Sequence, residues 1–229
     1  MGEGAGALDD SPEAPAHDRP SATMPPSPRR WATVAACAIG IALAAPEWLP
    51  QAWKREDGPV EFATFGCFLV GGVLAVGAAR RLRFDRKLSL ASLALGVLLF
   101  VAAGEEISWG QRQLGIETPS VLVDGNTQDE LNLHNVEGLQ ESAILAQLAI
   151  VAVGLLLPRF VRRPWARAGV PFFAGYLAYR VGRGLAALTD LGAAGRNSEA
   201  AELMLALGLL AIAYRLAKDG PATPEPTTT

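Results

Sequence analysis

From Trp31 onward the chain is a succession of apolar stretches, each close to the length that crosses a lipid bilayer, separated by short charged segments. The hydrocarbon core is about 30 Å thick and needs roughly 20 apolar residues in a helix. Six stretches meet that requirement: about 31–50, 60–79, 88–108, 142–158, 168–188 and 198–216. None of the first four carries a charge in its middle. The fifth holds Arg180 and Arg183, and the sixth opens on Ser198-Glu199, a helix-start pattern. The pattern predicts an all-α integral membrane bundle of about six transmembrane helices. The fourth stretch is short before Pro158, which leaves a re-entrant reading open for it.

The remaining segments are polar. Residues 1–30 are rich in Pro, Ala, Gly, Ser and acids and hold almost no large apolar side chains. They cannot bury enough surface to offset the entropy of ordering, so a disordered tail is expected there. A second disordered tail is expected at 218–229, leaving 31–217 as the membrane domain. The first apolar run lies behind a mixed-charge tail and ends in no small-x-small cleavage site, so it reads as a retained helix rather than a secretory signal.

Orientation follows from Lys and Arg. With the N-terminus inside, thirteen of the 20 basic residues fall in cytoplasmic segments: Arg29 and Arg30; Arg80, Arg81, Arg83, Arg86 and Lys87; Arg159, Arg162, Arg163 and Arg167; Arg215 and Lys218. Four fall outside: Lys54, Arg55, Arg112 and Arg196. The split predicts a protein of the cell (inner) membrane with both termini cytoplasmic and an even number of spans. It also places the largest loop, 109–141, on the outer face, where residues 128–141 are expected to form a surface helix.

The same distribution argues against nucleic-acid binding. The basic residues sit in short clusters between apolar runs rather than on one face, and the net charge is −3. Cys37 and Cys67 both lie inside apolar runs and read as small buried hydrophobes. There is no CxxC or Cys/His cluster to suggest a structural zinc site.

A helical rise of 1.5 Å per residue converts position into depth. Glu47 lies about 24 Å from the cytoplasmic edge, Glu105 about 25 Å, and Arg180 and Arg183 about 18 and 22 Å. Glu61 and Glu202 lie about one turn below the outer edge. These charges form a belt in the outer third of the membrane, contributed by five helices. A charge in hydrocarbon costs a few kcal/mol, so such groups should face the bundle interior and pair. A salt bridge from Arg180 or Arg183 to Glu105 or Glu106 is the expected structural role.

Three segments carry the candidate chemistry: Arg55-Glu56-Asp57-Gly58-Pro59-Val60-Glu61-Phe62, Gly104-Glu105-Glu106-Ile107-Ser108-Trp109-Gly110-Gln111-Arg112, and the outer-loop run Asn126 to Asn135. Glu105 and Glu106 are adjacent and point about 100° apart on a helix, one toward the bundle and the other toward the rim. Glu130 and His134 stand at i, i+4 and share a face if that run is helical. His134 is the one histidine outside the N-terminal tail, since His17 lies within it, so a three-histidine zinc site is excluded. Any metal would be a divalent cation held mainly by carboxylates, which suits magnesium, calcium or manganese better than zinc. Candidate acid, base or ligand residues are Glu105, Glu106, Glu130 and His134. Arg180, Arg183, Gln111, Asn132 and Asn135 are candidate substrate contacts, because guanidinium forks suit an anionic head group. Ser108 lies near Glu105 but in no Gly-x-Ser-x-Gly elbow, and no Walker A, Rossmann or kinase signature is present.

The Gly104–Arg112 motif, Glu117-Thr118-Pro119 and the Asn126-x-Gln128-x-Glu130-x-Asn132-Leu133-His134-Asn135 run together resemble a family of uncharacterised bacterial multi-pass membrane proteins, over about 47–216. The resemblance implies a membrane location and no known activity. The order of an acidic helix start, an intramembrane acidic pair and a later histidine is also faintly similar to the seven-helix ceramidase-like hydrolases, which hold zinc with several histidines. Three functional classes stay open: a membrane protein with an outward-facing acidic, histidine and arginine site of unstated activity; a hydrolase or transferase acting on a lipid or lipid-linked substrate; and a small carrier or scaffold. Membrane lipid is the expected partner in each.

Overall fold

The computed structural model describes residues 27–44, 58–118, 139–188 and 198–219. Every regular element among them is helical: α1 (Pro28–Ala44), α2 (Pro59–Arg81), α3 (Arg86–Glu106), the short α4 (Gln111–Leu114), α5 (Leu139–Phe160), α6 (Val170–Leu188) and α7 (Ser198–Lys218). Turns of 3₁₀ helix lie at Ser108–Gly110 and Pro164–Arg167. Four helices are long and apolar enough to cross a membrane: Pro59–Arg81, Arg86–Glu106, Ser142–Phe160 within α5, and Ser198–Lys218. The described part of α1 stops after 17 residues, and α6 carries two arginines in its second half.

Local chemistry sets the helix ends. Pro59 occupies the first turn of α2, where a missing N–H costs nothing and φ is already helical. The helix finishes on Arg80 and Arg81, whose charges suit its C-terminal carbonyls. Four residues later Asp85 caps α3, its side chain accepting from the Leu88 amide at 3.1 Å. The fourth apolar run is not short. α5 spans 22 residues and passes through Pro158, and the Val161 amide still donates to the Leu157 carbonyl at 2.9 Å. A proline in the last turn removes one bond without ending the helix.

Inter-helix contacts fix the directions. α1 and α6 run parallel, with Gly40 against Gly175 and Ala44 against Gly182. The backbones approach so closely that a Cβ on Gly40 would lie 2.0 Å from the Gly175 carbonyl oxygen. This is the small-residue packing that lets helices associate where no hydrophobic force drives them together. α2 and α7 are also parallel: Gly71 meets Leu210, and Arg81 donates to the Ala217 carbonyl at 2.8 Å. α2 and α3 are antiparallel, with Gly72 against Gly96 and Ser89 bonded to the Ala79 carbonyl. α6 is antiparallel to both α5 and α7. Its fully buried Phe173 fits against Gly154 of one and Gly208 of the other.

The six long helices among the described residues therefore alternate in direction along the chain. Two cores result. One joins Phe173, Tyr176 and Tyr179 of α6 to Leu43, Val151, Met204 and Leu205, and the other joins Phe68 and Ala75 of α2 to Leu99, Ala103, Ala206 and Ala213. Alternation sorts the charges between the two ends. The basic clusters of the α2–α3 turn, the α5–α6 connection and the C-terminus of α7 lie at one end, and Leu82, Asp85, Arg163, Trp165 and Leu216 line a small cavity of about 40 Å³ there. The opposite end holds Glu61, Glu105, Glu106, Arg112, Glu199 and Glu202.

Candidate functional site

The acidic end is organised by a break after α3. Ser108 and Trp109 take positive φ of 47° and 55°, followed by Gly110 at 78°. Left-handed backbone is free for glycine but costs roughly 1–2 kcal/mol for each of the other two. Specific contacts offset that strain. The Trp109 indole N–H donates to Glu105 Oε1 at 2.8 Å, and its ring lies over Gly104, where a Cβ would come within 2.8 Å of it. Ser108 is fully buried. The break redirects the chain into α4, where Gln111 Nε2 donates to Thr118 Oγ1 at 2.5 Å. Arg112 Nη2 reaches Glu61 Oε1 at 2.6 Å and so ties α4 to the start of α2.

Glu106, the last residue of α3, turns the other way. Its carboxylate meets those of Glu199 and Glu202 on the first turns of α7, with one oxygen from each residue lying within 4.8 Å of the others. All three are half-buried. Three carboxylates so close, at the edge of a low-dielectric bundle, repel one another strongly unless protons or a cation neutralise them.

A second set of groups abuts this trio. Gln147 of α5 donates through Nε2 to Glu202 Oε1 at 3.3 Å. Its Oε1 accepts from the Tyr176 hydroxyl at 2.6 Å and from Arg180 Nη2 at 2.9 Å. Arg180 Nε also donates to the Tyr176 hydroxyl at 2.8 Å, and the guanidinium lies 5.2 Å from that ring's centroid. One glutamine amide thus joins a guanidinium on α6 to a carboxylate on α7, its oxygen facing the cation and its nitrogen facing the anion. Arg183, one turn beyond Tyr179, lies within electrostatic range of that phenol.

Of the residues expected to form a site, the structure brings Arg180 near the carboxylate end and sets Glu105 and Glu106 on different sides of it. Glu105 goes to the rim with Trp109, and Glu106 goes into the bundle. Of the ion pair expected from Arg180 or Arg183 to Glu105 or Glu106, Arg180 instead takes neutral partners, because Tyr176 stands one turn away on the same helix face and Gln147 reaches across from α5. Gln111 is buried and donates to Thr118. Glu130, Asn132, His134 and Asn135 lie outside the described residues, as does Glu47. The surface helix expected over 128–141 is described only from Leu139, where α5 begins.

Three contributors were not singled out as site residues: Glu199, Glu202 and Gln147. Their signals are in the sequence. Glu199 and Glu202 are spaced i, i+3 and share a helix face, and Gln147 is the lone polar side chain in the middle of an apolar run. No family model, curated protein or solved structure matches the chain.

Proposed function

We propose that this is a six-span membrane protein with both termini in the cytoplasm, and that Glu106, Glu199 and Glu202 form an outward-facing site for a divalent cation. The convergence of three carboxylate oxygens within 4.8 Å carries this reading. Calcium takes oxygen ligands at 2.3–2.6 Å, so three ligands spread evenly round one ion stand at most about 4.0–4.5 Å apart, which the trio reaches with little closure. Magnesium, at 2.0–2.1 Å, needs a closer set, its three ligands at most about 3.5–3.6 Å apart. The ligands come from the end of one helix and the start of another, which leaves the outer side open to water or a substrate. The alternation of helix directions, with the basic ends together, supports the topology. α1 and α6 complete the six. α1 packs along α6, and Arg180 of α6 faces Tyr176 and Gln147 inside the bundle rather than lipid.

A second reading, a hydrolase or transferase acting on a lipid-linked substrate, is favoured by Arg180. A cation and a guanidinium in one wall would together hold a phosphate.

Equilibrium dialysis of the detergent-purified protein against calcium, manganese and magnesium tests the site. About one ion per chain is expected, lost in both Glu106→Gln and Glu202→Gln. No bound ion at millimolar concentration in a folded sample, or full occupancy in both variants, overturns it. Topology is tested separately with single cysteines at Leu114 and Phe84, after Cys37 and Cys67 are replaced. An impermeant maleimide should label them from opposite faces of the membrane.

A further inference from the structure

Among the described residues, the tight seating of α1 on α6 leaves a flank of α7 uncovered. A groove of about 510 Å³ opens between α1 and α7, with α6 as its floor. Ala36, Ile39 and Leu43 form one wall and Leu203, Met204 and Leu207 the other, and the lining is almost wholly apolar. Along α1 it extends from Ala32 to Leu43, about 16 Å at 1.5 Å per residue, which is close to the depth of one leaflet of the hydrocarbon core.

The groove is continuous with the acidic end. Its outer part is lined by Val60 and Ala200. Val60 precedes Glu61, the partner of Arg112. Glu199 stands one turn from Leu203 on the same flank of α7 and so lies at the groove's rim. Among the described residues, that end gathers the carboxylates of Glu61, Glu105, Glu106, Glu117, Glu199 and Glu202 around the guanidiniums of Arg112, Arg180 and Arg183. An apolar slot one leaflet deep under an acidic mouth is complementary to a molecule with an aliphatic chain and a positively charged head.

We infer that this groove is a binding site for a phospholipid with an ammonium headgroup, one acyl chain lying between α1 and α7 and the ammonium at the Glu199 rim. The inference rests on the six-span reading, which puts α1 in the membrane; it shares Glu199 with the cation site, so lipid retention is read in chelator-treated, divalent-free buffer. Its failure would leave both the cation titration and the maleimide topology standing.

Native mass spectrometry tests it on the full chain released from vesicles of equimolar phosphatidylethanolamine and phosphatidylglycerol. The wild type should retain one lipid per chain, with the ethanolamine lipid enriched at least about fivefold. Ala35 and Ala200 line the groove with small side chains. Ala35→Phe and Ala200→Phe should each fill it and lower retention at least about tenfold while the thermal transition in detergent persists. If one of the two does not fold, the other gives the reading. Glu199→Gln should abolish the headgroup preference while leaving retention in place. No retained lipid in the wild type overturns the assignment, leaving the groove to the 45–57 connection or to a second copy of the chain. Unchanged retention in a folded groove-filled variant overturns it as well, and so does enrichment of the glycerol lipid.

Discussion

The two ends of the bundle handle charge in opposite ways. At the basic end, Arg80, Arg81, Arg83 and Arg86 stand exposed around a short turn, and the ordering contacts are mostly local: the Asp85 cap, the pairing of Arg215 with Asp219, and Arg83 over Phe84. At the acidic end the charges are half-buried, and their partners come from elsewhere in the chain. Glu61 pairs with Arg112, fifty-one residues away, and Arg180 with Gln147, thirty-three away. Solvated charges can be many and cheap, and they orient a chain in the membrane. Charges withdrawn from water have to be matched group by group, which is the arrangement a binding site requires.

Four measurements would break or sharpen that contrast. The largest effect is expected at Glu61. Glu61→Ala removes the carboxylate that the Arg112 guanidinium, only 21% exposed, meets at 2.6 Å. A loss of about 3 kcal/mol is expected, largely recovered in Glu61→Ala/Arg112→Met, as read from unfolding in mixed micelles. A double variant no more stable than the single one would mean that the pair is not coupled.

Next comes cation binding. A divalent cation at 100 times its dissociation constant should stabilise the wild type by about 2.7 kcal/mol and Glu106→Gln hardly at all. Thermal shifts across a calcium series measure this directly, and a parallel shift in the variant would place the ion elsewhere.

Arg180→Met should cost about 2 kcal/mol, because Tyr176 and Gln147 lose a charged donor that each accepts from. Tyr176→Phe in the Arg180→Met background should add less than it does alone, and strict additivity in that cycle would argue against a connected network.

The smallest effect belongs to the basic end. Arg83→Gln and Arg86→Gln should each change stability by less than about 0.5 kcal/mol. A loss several times larger would show that the basic end is as tightly matched as the acidic one.

Much of the scaffold was legible before any coordinates. Four of the six apolar runs correspond to helices long and apolar enough to cross a membrane, and the first and fifth fall on α1 and α6, because a helix long enough to cross hydrocarbon must be built from consecutive apolar residues wherever it packs. The alternating Lys/Arg clusters anticipated that the basic ends would lie together. The divergence of Glu105 and Glu106 followed from 100° per residue and a helix ending near Gly110. The reach of α5 through Pro158 was not legible, because a proline close to a helix end can either stop the helix or ride in its last turn.

The partners at the acidic end were not legible either. Depth along the helices placed Glu61, Glu105, Glu202 and Arg180 in one layer, but a layer says nothing about which helices adjoin. Opposite charges at equal depth suggested Arg180 with Glu105 or Glu106. The fold instead puts α6 between α5 and α7 and leaves α3 against α2, so Arg180 finds Gln147 and Tyr176. By itself, then, the sequence located the apolar helices and the alternation of their basic ends, which are properties of single segments and their charged ends. The carboxylate trio, the glutamine bridge and the groove beside α1 depend on which helices are neighbours. That was decided by close packing, through Gly40 on Gly175 and Phe173 against Gly208, which no pattern within one segment encodes.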